Sequence, residues 1–179
     1  MLLQAVADYS AAKCAHIEVW LTKLEGYLKD HSLDDVRRLR EEQEIDFPVA
    51  SFQGGLFATD LAKREVAWQL FRERLALCEQ LDIGTLVVAA DISAPLSQEI
   101  LDGLVATLED MAKSAGERGR CIALEFQARS AFVNNLETSI ALVNDVSSPH
   151  LGICLDAFHF FVGPSKSEDL ARLDKERLF

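Results

Sequence analysis

Glu125, Asp156 and His159 are the side chains in this sequence whose types and placement could do chemistry together. Glu125 closes the apolar run at 121–126 (CIALEF), and Asp156 follows LGICL, in which Leu151, Ile153 and Leu155 alternate with Gly152 and Cys154. Such runs read as strands buried on both faces of a parallel sheet. Alternation puts Glu125 on the face of Ala123 and Gln127, and Asp156 on that of Cys154, so both carboxylates can point to one centre. Two carboxylates in an apolar hollow repel and take up a proton unless a cation lies between them. A divalent ion resolves the conflict, and oxygen donors near an imidazole suit Mg²⁺, Mn²⁺, Co²⁺ or Zn²⁺. Such an ion can hold the carbonyl and neighbouring hydroxyl of a sugar, acidify the carbon-bound proton and stabilise the resulting enediolate. A plainer reading stands beside this one: Asp156 caps the next turn, and His159 is a packed residue among Phe158, Phe160 and Phe161.

The elements that must position these residues follow from periodicity. Residues 2–14 carry apolar side chains at helical spacing, and His16 to Trp20 reads as the first strand. After a loop near Gly26, Ser32 caps a helix through LDDVRRLREEQE. Strands begin near 17, 48, 85, 121 and 151, each pair separated by one helix. The helix of 60–81 puts Val66, Leu70 and Phe71 inward and Lys63, Arg64, Arg72, Glu73 and Arg74 on a solvated face. Pro95 and Ser97 open the next helix, Asn134 with Glu137 caps another, and Ser165 with Glu168 precedes a last short one. Starts about 30 to 37 residues apart match the length of a βαβ unit. The chain is therefore an α/β protein with a parallel sheet, either doubly wound or a (β/α)8 barrel. No GxGxxG or Walker pattern marks a nucleotide-binding switch point.

Composition narrows the function. A net charge of −11 argues against a general nucleic-acid or anionic-membrane surface. No apolar run approaches the roughly 20 residues of a membrane span, and no basic leader precedes an apolar block, so a cytoplasmic location is the expectation. Cys14, Cys78, Cys121 and Cys154 lack metal-binding spacing and read as small buried thiols.

ALEFQA (123–128), NNLETSIALV (134–143) and GICLDAFHFFVGPSKSEDL (152–170) resemble the xylose isomerase-like barrel superfamily, in its sugar phosphate isomerase/epimerase branch, which also holds AP-endonuclease-type members. The resemblance implies a (β/α)8 TIM barrel and a divalent metal held by Glu, Asp, His and Glu. Glu125 matches the first ligand, which doubles as the acid/base in epimerases; Asp156 matches the second, and His159 the neighbouring substrate-binding histidine. The third and fourth ligands have no counterpart before Phe179. The expectation is a single domain over residues 1–179 that is a partial barrel of about five parallel strands, lacking the first strand and the last two, with Leu178 and Phe179 starting a further strand and with open sheet edges.

The implied function is a metal-dependent sugar or sugar phosphate isomerase or epimerase, with this chain alone inactive. Its alternatives are a sugar-binding or structural barrel and a metal-dependent phosphodiesterase. The expected partner is a small sugar or sugar phosphate, with no nucleic acid and no membrane, and homo-oligomer formation is left open. Glu18, Trp20, Lys23, Gln53 and Gln127 complete the expected pocket: Trp20 offers an apolar face to a sugar ring and Lys23 a cation to a phosphate.

Overall fold

The β-prone runs form β1 (His16–Trp20), β2 (Asp46–Gln53), β3 (Thr85–Ala89), β4 (Cys121–Glu125) and β5 (Leu151–Cys154) in the computed structural model, which describes residues 1–179. Every neighbouring pair is parallel and the order is β1-β2-β3-β4-β5. A doubly wound sheet reverses its order at a switch point, whereas a barrel wall runs on without reversal. The sheet is therefore a barrel wall. Beyond β5, Leu178 forms a parallel bridge with Ile153, and the Phe179 N–H donates to the Ile153 carbonyl at 3.1 Å.

The helices are α1 (Leu2–Ala11), α2 (Leu21–Tyr27), α3 (Leu33–Glu42), α4 (Leu61–Gln80), α5 (Gln98–Gly116), α6 (Leu136–Val146) and α7 (Ala157–Val162), followed by 3₁₀ turns at Ser167–Arg172 and Lys175–Arg177. None is long and apolar enough to cross a membrane. One face of the sheet packs on helices: Val19, Ala50, Leu86, Val88, Ile122, Leu124, Leu151 and Ile153 join Phe71, Leu75, Leu108, Met111 and Val143 in a single buried cluster. Each such side chain contributes about 1.5–3 kcal/mol of burial. The opposite face carries Val87, Ala89, Ala123 and Gly152, small or short side chains suited to the concave wall of a barrel.

Several expectations are corrected. Two helices, not one, separate β1 from β2, because α2 starts directly at Leu21 and runs through Gly26. The first helix stops at Ala11. The cap of α6 is Asn135, whose side chain accepts from Thr138 N–H at 2.9 Å, while the Asn134 amide donates to the Ser130 carbonyl. Ser165 caps nothing in its own turn; its Oγ accepts from Leu136 N–H at 3.0 Å, and Asp169 accepts from the Lys166 N–H instead. Along α4, Val66 is 70% exposed, whereas Arg74 is buried. Of the four thiols only Cys78 is fully buried.

Two local predictions follow from these corrections. Asn135→Ala removes a partner from the first turn of α6 and lowers stability by about 1 kcal/mol, read as a lower urea midpoint with an unchanged slope. Burial pushes the Cys78 thiol up to about 12, against the weaker pull of Arg120 and Arg74. Alkylation of the native protein near about pH 8 leaves Cys78 unmodified, and unfolding in denaturant makes it react, as mass spectrometry of the peptides will show.

The register of β2 is irregular twice. Asp46 and Val49 lie opposite His16 and Glu18, so β2 carries one extra residue there, and Pro48 sits inside that bulge. A proline lacks the N–H that a ladder needs and is tolerated where pairing is already interrupted. The second shift sets Ala50 and Gln53 opposite Leu86 and Val88, so Ser51 and Phe52 together face Val87. The Ser51–Phe52 peptide bond is cis.

Candidate functional site

The carboxyl ends of β4 and β5 bring the predicted residues together. Glu125 lies opposite Cys154 in the ladder and opposite Ala89 on its other side, on the sheet face turned away from the helices. One Glu125 oxygen, Oε2, accepts from the Gln127 side-chain amide; Oε1 has no hydrogen bond. Asp156 is the N-cap of α7, its Oδ1 accepting from His159 N–H at 2.7 Å, and its Oδ2 is likewise unbonded. The capping reading of Asp156 holds, and because capping uses one oxygen it leaves Oδ2 free.

His159 is oriented from the β4 loop. Ala128 N–H donates to its Nδ1 at 3.3 Å, so the neutral ring carries its proton on Nε2. It therefore offers a donor, which suits a sugar oxygen better than a cation.

The electrostatics converge on the same place. Burial first, then the charge of Asp156, raises the Glu125 carboxyl above the ordinary range; Glu18 adds to this, and His159 and the Gln127 hydrogen bond oppose it. Cys154 is pushed up to about 12 by burial and then by Glu125, Glu18 and Asp156. The three carboxylates Glu18, Glu125 and Asp156 thus share one negative field around the Cys154 thiol. The residues present fit a divalent ion in part: Glu125 Oε1 and Asp156 Oδ2 are free, and their mutual repulsion is what a cation relieves. No three His, Cys, Asp or Glu side chains converge as a metal site, which leaves these two carboxylates as the candidate donors.

The remaining predicted residues divide. Trp20 and Lys23 lie together, with Lys23 Nζ 5.7 Å from the Trp20 ring centroid, and with Glu18 and Ser51 they line a hollow of about 250 Å³ at β1. The Ser51 hydroxyl there is buried without a partner. Gln53 does not face the hollow: it is buried beneath the sheet, where its amide accepts from Arg74 and donates to the Gly54 carbonyl. The extra residue in β2 shifts the alternation by one and turns Gln53 to the helix side. A wider depression of about 490 Å³ lies at the amino ends of the strands among His16, Arg40 and Asp46, where Arg40 and Asp46 pair with each other.

Cys154 lies on this face, as its alternation with Asp156 predicts, and is only partly buried. What sequence reading missed is the pairing of Arg74, placed there on a solvated face, with Glu25. Arg74 Nε and Nη2 grip the two Glu25 oxygens at 2.7 and 3.0 Å, and Nη1 donates to the Phe52 carbonyl at 2.9 Å.

A parallel barrel wall with acidic residues and a histidine at its strand ends defines an α/β-barrel protein of the type that carries its chemistry on that face. Residues 6–179 match the family model described as xylose isomerase-like TIM barrel, and the chain belongs to that family. It is 29% identical over 164 residues to the inosose isomerase of Bacillus velezensis, covering 89% of this chain and 58% of the relative. The inosose isomerase of Halalkalibacterium halodurans is 27% identical over 164 residues, with 89% and 57% covered. The chain thus spans less than two thirds of the curated relatives it matches. Among solved structures, the IOLI protein with a bound zinc atom superposes with a TM-score of 0.88 at 26% identity, over 99% of this chain and 64% of that one. A D-psicose 3-epimerase in the presence of D-fructose shares the fold, with a TM-score of 0.78 at 21% identity, over 99% of this chain and 65% of that one.

Proposed function

We propose that this chain carries half of the active site of a metal-dependent isomerase or epimerase acting beside the carbonyl of a sugar, a sugar phosphate or an inosose-like cyclic polyol. The observation that carries the reading is the pair of unbonded oxygens, Glu125 Oε1 and Asp156 Oδ2, at adjacent strand ends beside a histidine that presents Nε2–H. The names of the inosose isomerase relatives and the zinc of the IOLI neighbour support it. Barrel strands outside this chain would supply the other ligands.

Glu125 and Asp156 would hold the ion. When bound, a divalent cation polarises the substrate carbonyl and lowers the acidity barrier at the adjacent carbon. Glu125 would serve as the base that shuttles, taking the proton from that carbon and returning it to the enediolate so formed. Gln127 donates to Glu125 Oε2 and so fixes the plane of the carboxylate. His159, fixed by Ala128, donates Nε2–H to a substrate oxygen and holds the reacting carbon in place. Trp20 gives the ring an apolar face, and Lys23 lies over it as the cation nearest that hollow.

The test is solvent exchange. The full-length protein, loaded with Zn²⁺ or Mn²⁺ and given an inosose or a ketohexose in D₂O, incorporates deuterium at the carbon beside the carbonyl, seen by proton NMR. Absence of incorporation with every ketone tried and with the ion bound sinks the catalytic reading and leaves a sugar-binding barrel.

A further inference from the structure

Arg74 is the least accessible charged side chain paired in this protein, 8% exposed against 33% for its partner Glu25. It makes four hydrogen bonds: two to the Glu25 carboxylate, one to the Phe52 carbonyl and one, at 3.1 Å, to Gln53 Oε1. The fork of a guanidinium matches a carboxylate and still reaches the backbone, which an ammonium cannot do. Such a pair adds little to stability, because the cost of desolvating both ions offsets their attraction, and apolar replacements of similar volume are often as stable. What it adds here is position, and the position concerns a single place in the sheet.

That place is the second bulge of β2. Ala50 and Gln53 face the helices opposite Leu86 and Val88, so the two residues between them, Ser51 and Phe52, both turn to the face of Val87. Val87 is two residues before Ala89, the ladder partner of Glu125. The Phe52 side chain, 47% exposed, therefore stands on the face that holds the carboxylates. A bulge leaves backbone groups off the ladder and re-aims side chains. Arg74 supplies a donor to the carbonyl of the re-aimed residue, and through Gln53 it reaches Gly54, since the Gln53 amide donates to the Gly54 carbonyl at 2.7 Å. On the far side Asp91 accepts from Gly55 N–H at 2.7 Å, and a Cβ at Gly54 would lie 2.9 Å from the same Asp91 oxygen. The loop is thus clamped from the helix layer and from the end of β3.

We infer that the Glu25–Arg74 pair is a positioning device for substrate binding: it holds the β2 bulge so that Phe52 forms, with Trp20 at the neighbouring strand end, an apolar wall for the C–H face of a sugar ring. Trp20, 51% exposed, ends β1 and pairs with Ser51 in the ladder, so Phe52 directly follows its partner on the adjacent strand. The inference rests on the reading of this face as a substrate site. Arg74 touches no reacting atom in it; it acts through Phe52.

The experiment compares Glu25→Leu/Arg74→Met and Arg74→Lys with the parent full-length protein by amide hydrogen exchange and by steady-state kinetics on the inosose or ketohexose it turns over. In the double variant the amides of Gln53, Gly54 and Gly55 exchange roughly tenfold faster while those of β4 and α5 keep their rates. KM rises about tenfold and kcat stays within about twofold, the mark of lost binding rather than lost chemistry. Arg74→Lys falls between the two. Unchanged exchange at 53–55 with unchanged KM overturns the inference, and so does an acceleration spread evenly over the sheet, which marks a structural prop. If even the parent turns over no ketone, the proposed function fails, and exchange at 53–55 still decides whether the pair positions the loop.

Discussion

Under the proposed function, Glu125→Gln in a protein carrying the whole barrel is expected to lower kcat by about a thousandfold and to weaken uptake of the divalent ion, with the fold kept. The carboxamide matches the carboxylate in size, and Gln127 can still donate to its oxygen, so the change removes a proton acceptor and a negative charge and little else. General acid or base groups contribute about 10² to 10⁴ in rate. The metal-free protein should gain stability at the same time. The folded Glu125 holds its proton more tightly than the unfolded chain does, owing to burial and to Asp156. Such a group favours the fold at low pH, and the advantage is lost as pH rises from the ordinary Glu range through the raised value. The Gln variant lacks that loss, so its urea midpoint changes less between acid and neutral pH than that of the parent. A kcat within threefold of the parent, with undiminished metal uptake, would falsify the role given to Glu125.

Gly152→Ala is expected to detach the end of the chain from β5. A Cβ there would lie 2.6 Å from the Arg177 carbonyl and 2.6 Å from the Phe179 ring, closer than atoms can approach. The ring can swing away, but the carbonyl belongs to a segment fixed by Arg177, whose guanidinium donates to the Ser148 carbonyl, and by Phe179 N–H on Ile153. Overpacking of this kind costs about 1–3 kcal/mol. The sign of the effect is local: the Phe179 amide loses its protection from exchange, whereas β2 and β3 amides do not. Retained protection at Phe179 with an unchanged melting temperature would show that the segment moves without cost.

The order of elements was legible because β2 to β5 are short runs closed by Gly or a carboxylate, and the two longest helices open on capping side chains. Asp60 and Ser97 accept from the first-turn amides as their residue types promise. The element that escaped, α2, has no such signal: its N-cap is Trp20, with no side-chain hydrogen bond, and its interior holds a glycine. Barrel and doubly wound sheet share the same alternation of strands and helices, so only pairing could separate them. For the site, Glu125 and Asp156 could be placed by alternation along their own strands. Gln53 could not, because the bulge that turns it depends on how β2 meets β3. Arg74 was assigned to solvent by helical periodicity, which sees neither Glu25, 49 residues away, nor the strand carbonyl that it serves. The tautomer of His159 is set by Ala128, 31 residues earlier, and is likewise invisible to spacing.

The unreversed order of the strands bears on how the molecule is made. Every strand pairs with the one synthesised immediately before it, so no segment must wait for a distant partner, and the loop closed at each step stays near one βα unit in length. Contacts of short sequence separation form quickly, and domains assemble from the amino end as the ribosome delivers them. Each newly made strand then covers the open edge left by its predecessor. On this account the growing chain exposes one fresh edge at a time, and the carboxylate pair comes together only when β5 has docked on β4.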